Sequence, residues 1–151
     1  MMNRNCIATL AAAAALAGTA PAFAQDTGPG QAFFERQCAA CHQKGGTGLA
    51  GLAPPLAGAL GPVLAAPEGR DYLLQVMVNG LSGKIVSKGQ LFNLAMPPQG
   101  GFSDPELADA ARYVASLNGS TASFAAEDVA RARGTTVTHK QLRELRERLL
   151  K

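Results

Sequence analysis

Two thiols and an imidazole stand within five residues in Cys38-Ala39-Ala40-Cys41-His42. Thiols and imidazole are the side chains that bond carbon electrophiles and soft metals, so chemistry is sought first in this pentapeptide. Cys-x-x-Cys-His is the spacing at which two thiols add to the vinyl groups of one haem, and the adjoining imidazole is then held against the iron. Part of the pattern is shared by other chemistries. A thioredoxin-like redox pair needs a βαβ setting, and a four-ligand zinc site would use Cys38, Cys41 and both His42 and His139. A disulfide between Cys38 and Cys41 is the third competing reading.

A haem iron in an electron carrier takes a second axial ligand, and methionine there raises the reduction potential relative to histidine. Met77, Met96 and His139 are the candidates. Met77 falls on an apolar helical pattern, where methionine serves as a gap-filler in a core. Met96 lies in an extended stretch, and Pro97-Pro98 restrict the backbone that presents its sulfur, so Met96 is the expected ligand. His139 lies in a polar tail and is expected to be solvated.

Helices and loops must hold these groups in place. Ala32, Phe33 and Phe34 set against Gln31, Glu35 and Arg36 predict a short amphipathic helix over 28–37 that leads into Cys38. Residues 44–67 are rich in glycine and proline and predict a loop with at most brief helical turns; a loop of this length needs a surface, such as a cofactor, on which to pack. A helix is expected over 70–79, stopped by Gly80, followed by an extended, turn-rich segment over 81–100. Ser103 or Asp104 as N-cap, Pro105 at the first helical position and the apolar face of Leu107, Ala110, Ala111, Val114 and Leu117 predict another helix, ended by Asn118-Gly119. Two more helical segments are expected over 123–133 and 138–151, the last grouping Leu142, Leu145 and Leu149, with Arg143, Arg146 and Arg148 among the remaining positions. Almost no strand signal is present, and the fold class is mainly α.

The 151 residues, 47% of them hydrophobic, fit one globular domain. Arg4, the apolar run from Ile7 to Ala17 and Ala22-Phe23-Ala24 predict a cleavable signal peptide over 1–24, and hence export to the periplasm. That run is shorter than the roughly 20 apolar residues a bilayer span needs, and no later stretch replaces it. Cys6 is discarded with it, leaving the motif pair. Charge is unevenly spread: residues 25–138 hold 8 basic and 9 acidic side chains, whereas 139–151 hold 5 basic and 2 acidic. A haem-bearing domain over 25–119 and a helical C-terminal extension over 120–151 are expected, the tail being dispensable for the haem spectrum. Its leucines would pack on the domain or on a partner protein; no nucleic-acid partner is expected.

Gly30 and Phe34, the Cys38-to-His42 motif, Pro54-Pro55-Leu56, Met96-Pro97 and Tyr113 follow one another in the order found in one family: from Gly28 to Asn118 the sequence resembles the class I c-type cytochromes. The resemblance implies that fold, with helices packed around one covalently bound haem c. It implies attachment at Cys38 and Cys41, iron ligation by His42 and Met96, a Pro54 carbonyl facing the free N–H of His42, Leu56 against the haem, and a close helix crossing at Gly30, Phe34 and Tyr113. Segments 79–85 and 92–98 are similar, more narrowly, to cytochrome subunits of periplasmic dehydrogenases and to haem c domains of some copper nitrite reductases. Phe92 and Leu94 stand where those relatives have tyrosine and glycine, which removes a hydroxyl contact near the haem edge. The function implied is transfer of single electrons to or from a partner oxidoreductase, as a soluble carrier or a subunit and not as an enzyme. The alternative is a haem enzyme with an open distal site, peroxidase-like or gas-handling, which needs a polar distal residue; the Met96 segment offers no obvious one.

Overall fold

The computed structural model describes residues 27–151; the signal-peptide segment lies outside them. Helices α1 (Gly28–Gln37), α2 (Ala39–His42), α3 (Gly61–Ala65), α4 (Pro67–Asn79), α5 (Asp104–Ser116), α6 (Ala126–Arg133) and α7 (His139–Leu149) carry the fold. Between α4 and α5 runs one antiparallel hairpin, β1 (Ile85–Ser87) with β2 (Gln90–Phe92), in the register Ile85 to Phe92 and Ser87 to Gln90. The class is mainly α, as expected. The hairpin is not: Lys88 at φ 47° and Gly89 at φ 76° make a two-residue turn of the left-handed kind, and lysine is a poor sequence marker for it.

The frame is the packing of α1 on α5. Phe34 is fully buried and its ring centroid lies 5.2 Å from that of Tyr113. Burial of one such phenylalanine stabilises the fold by about 2–3 kcal/mol. A Cβ built on Gly30 would lie 2.0 Å from the carbonyl oxygen of Asp109, so only a missing side chain lets the two backbones approach this closely. α5 starts where its sequence says it should: the Glu106 carboxylate accepts from Ser103 N at 3.0 Å, which satisfies the backbone donor at the N-cap.

α4 begins at Pro67, earlier than the expected Arg70, because proline fits the first helical turn and donates no hydrogen bond there. The segment expected to be helical from Ser123 stays extended until Ala126, and Phe124 buries its ring in the core instead. Gln75, buried on α4, donates to Ala132 O on α6 at 3.2 Å and ties the C-terminal segment to the frame. Val129, Ala132 and Leu142 join Phe34, Leu107 and Val114 in one buried cluster.

α7 opens with a reciprocal cap: Thr138 N donates to Gln141 Oε1 at 2.8 Å, and Gln141 N donates to Thr138 Oγ1 at 3.2 Å. It packs on α4 and α3. Its leucines pack on the domain as expected, Leu142 fully buried at 1% exposure and Leu145 and Leu149 half-buried against the core, and Arg146 joins them at 5% exposure. His139 is likewise half-buried and shares a hydrogen bond with the Ser82 hydroxyl, so it is not a solvated tail residue.

Candidate functional site

The motif is presented by the end of α1 and the single turn of α2. Cys38 caps α1 with its N–H on Phe34 O, and the backbone turns at once so that Cys41 N and His42 N both donate to Cys38 O. This places the two cysteines and the imidazole on the wall of one open cleft. Cys38 and Cys41 are both free. As a thiol, Cys38 has its pKa pushed up to about 11, first by burial and then by neighbouring Cys41. No three His, Cys, Asp or Glu side chains come together among the described residues, so a zinc set of Cys38, Cys41, His42 and His139 is not assembled.

His42 is buried, and its Nδ1 lies 2.9 Å from the carbonyl oxygen of Pro54. A carbonyl only accepts, so Nδ1 carries the proton and Nε2 keeps its lone pair for a metal. Burial lowers the imidazole pKa below its ordinary range, opposed by the bond to Pro54; both the burial and the fixed tautomer favour the neutral ring that ligates. The Pro54 carbonyl is held by the loop behind it, where Gly48 N donates to His42 O at 2.8 Å and Leu56 N donates to Gly46 O at 2.8 Å.

Leu56 is half-buried and lines the cleft. What fixes it is a residue that sequence reading treats only as a helix stop. Asn118, just beyond α5, donates from Nδ2 to Leu56 O at 3.0 Å and to Val114 O at 2.8 Å, and accepts from Leu60 N at 2.8 Å. Asn118→Ala strands three partners and is expected to lower stability by about 2–3 kcal/mol. Chemical denaturation checks this; an unchanged midpoint would show that Asn118 does not pin the loop.

Met96 lines the same cleft and also a smaller apolar cavity beneath it, which it shares with His42 and Leu56. Its backbone is fixed on both sides: Met96 N donates to Leu81 O at 2.8 Å, and Leu81 N donates to Met96 O at 3.0 Å. Gly80 permits this, with φ 74° and a position where a Cβ would stand 2.5 Å from Met96 O. Met77 faces the smaller cavity and the core, and does not line the cleft. Phe92, the residue in place of the tyrosine of similar sequences, is buried in the cleft wall and brings no hydroxyl to it.

The cleft wall is otherwise largely apolar, built from Leu73 and Val76 of α4, Leu81, Ile85 and Ala53, with Gln37, Tyr72, Gln99 and Arg146 as polar exceptions. A flat macrocycle with an apolar face, two carbon electrophiles, a metal and anionic side arms matches this set of thiols, imidazole, thioether and buried cation. The donor set and the wall therefore fit a haem.

Comparison with known proteins agrees. A family model described as cytochrome c oxidase, cbb3-type, subunit III matches residues 25–114. Two proteins named cytochrome c-552 from Thermus thermophilus are each 36% identical over 119 residues; these cover 75% of this chain and 91% and 80% of the two relatives. The chain belongs to the class I c-type cytochromes. As a member it is a mono-haem electron-transfer cytochrome, with haem c covalently bound. The cytochrome has no helix among its described residues that is long and apolar enough to cross a membrane. One part of its cleft was not foreseen. Arg146, from the tail expected to be dispensable, forms part of the wall.

Proposed function

We propose that this cytochrome passes single electrons to or from a partner oxidoreductase in the periplasm, a dehydrogenase or a reductase, as a soluble carrier or a subunit. Cys38 and Cys41 would hold the haem through thioether bonds, His42 Nε2 and Met96 Sδ would bind its iron, and Pro54 and Leu56 would complete the haem site. Residues 25–119 form the haem-bearing domain, 120–151 a helical extension packed onto it, and 1–24 a signal peptide removed on export.

The observation that carries this reading is the hydrogen bond from His42 Nδ1 to Pro54 O, 2.9 Å long, in a cleft that Met96 also lines. When bound, haem supplies one-electron chemistry at iron. The chain does the rest: the Pro54 carbonyl orients the imidazole, the Leu81 ladder holds the Met96 backbone, and the apolar wall excludes water. Ligands anchored through backbone hydrogen bonds need little movement between oxidation states. Leu52, Leu94 and Val86 are exposed apolar side chains, the first two at the mouth of the cleft and Val86 on the neighbouring hairpin, where a partner protein would approach the haem edge.

Expression in cells able to mature c-type cytochromes, followed by denaturing mass analysis, tests the reading. The expected mass is that of residues 25–151 plus one haem, and the Cys38→Ala, Cys41→Ala double variant is expected to carry none. A wild-type mass equal to polypeptide alone would overturn it. Stopped-flow mixing then separates carrier from enzyme: fast electron exchange with no peroxide turnover is expected, whereas rapid turnover would favour an open-site haem enzyme.

A further inference from the structure

Arg146 is 5% exposed, on the inner face of α7, and lines the cleft. Its partners are few and neutral. Nη2 donates one long hydrogen bond, 3.5 Å, to Val86 O, the guanidinium also hydrogen-bonds the Tyr72 hydroxyl, and Nε is buried with no partner. Among the described residues no carboxylate forms an ion pair with it, although five other Lys or Arg side chains are so paired. Nor does the cleft contain an Asp or Glu: Arg146 is its sole permanently charged side chain.

A guanidinium taken out of water without an anion costs several kcal/mol, and its planar fork suits a carboxylate. No described residue supplies such an anion here, and what fills the cleft is its natural source. Tyr72 adds a second donor. Tyr72 is buried in the same wall, and burial pushes its pKa up against the opposing charge of Arg146 and the hydrogen bond between the two side chains.

We infer that Arg146, with the Tyr72 hydroxyl, is the binding site for a propionate carboxylate of the haem, and that this contact latches the C-terminal helix onto the cofactor. The inference rests on haem occupying this cleft. Three residues of α7 grip the segment that closes the cleft: His139 at the Ser82 hydroxyl, Arg143 at Ser82 O and Arg146 at Val86 O. The positions 139, 143 and 146 fall on one face of the helix. A carboxylate held by Arg146 therefore couples the haem to α7 and, through α7, to the strap over 82–86.

Arg146→Met retains most of the apolar stem and removes the charge. If the guanidinium meets no anion, this change relieves a buried charge and leaves the protein as stable or more so. If it meets a propionate, the change strands a carboxylate, which favours the ferric state. For Arg146→Met the reduced-to-oxidised ratio at fixed ambient potential is then expected to fall about tenfold, 59 mV for one electron, and amide exchange over 139–149 in the holoprotein to accelerate at least tenfold. Arg148→Met removes the same charge from an exposed position of the same helix and is expected to do neither. Tyr72→Phe is expected to shift the potential in the same direction by less. Equal potentials and equal exchange in the Arg146 and Arg148 variants, with haem attached in both, would overturn the latch and leave the haem site standing; wild-type protein without haem would overturn the reading on which it rests.

Discussion

Gly30→Ala is expected to lower the stability of the cytochrome by about 3–5 kcal/mol, despite alanine being the better helix former by about 1 kcal/mol. The added methyl would meet backbone, the Asp109 carbonyl at 2.0 Å and its carbon at 2.6 Å, and then Tyr113 Cβ at 3.1 Å. No rotamer change clears a backbone, so α1 must move away from α5. That separation loosens Phe34 against Tyr113 and shifts the end of α1, from which Cys38 and His42 are hung. Thermal unfolding of the holoprotein should show a fall of roughly 10 °C or more. Unfolding at the parental temperature would mean that the two helices have slack at this crossing.

Met96→Ala should abolish the sulfur-to-iron charge-transfer band and lower the reduction potential by on the order of 100 mV, within the roughly 0.8 V range that axial ligands command. Met77→Leu is the matched control. Met77 is 7% exposed, on α4 facing the core, and its replacement by a residue of similar volume should cost less than about 1.5 kcal/mol and leave band and potential in place. The reverse pattern, with Met77→Leu losing the band and Met96→Ala keeping it, would assign the sulfur to the wrong methionine.

Gly30 was marked in the sequence by the family resemblance, which set it with Phe34 and Tyr113 at a close helix crossing, and the physical reason is the approach of the Asp109 carbonyl, which leaves no room for a side chain. The motif from Cys38 to His42 and the helices α1 and α5 were legible because their patterns are local: spacing, apolar period and caps. The hairpin over 85–92 was not, because a lysine at φ 47° is tolerated through the pairing on either side of the turn and leaves no Asn-Gly signature. Asn118 was read as a terminator because nothing local says that its amide reaches Leu56 and Leu60.

The tail packs through its leucines, as their spacing suggests, and through one residue more. Leu142 is in the core and Leu145 and Leu149 pack against it, but Arg146 is buried beside them. An arginine stem covers apolar surface as well as a leucine does, so a pattern that scores charge as exposure leaves Arg146 out. The usable signal is that His139, Leu142, Arg143 and Arg146 recur at helical spacing.

The cleft wall begins near one end of the described chain, at Gln37, and is finished near the other, at Arg146. Synthesis from the N-terminus makes Cys38 and Cys41 before α7 exists to close the cavity. Throughout that interval the two thiols belong to an unfinished surface, and the last helix can dock only after the other walls have been made. The motif and its enclosure are thereby ordered in time by nothing more than the order of residues along the polypeptide.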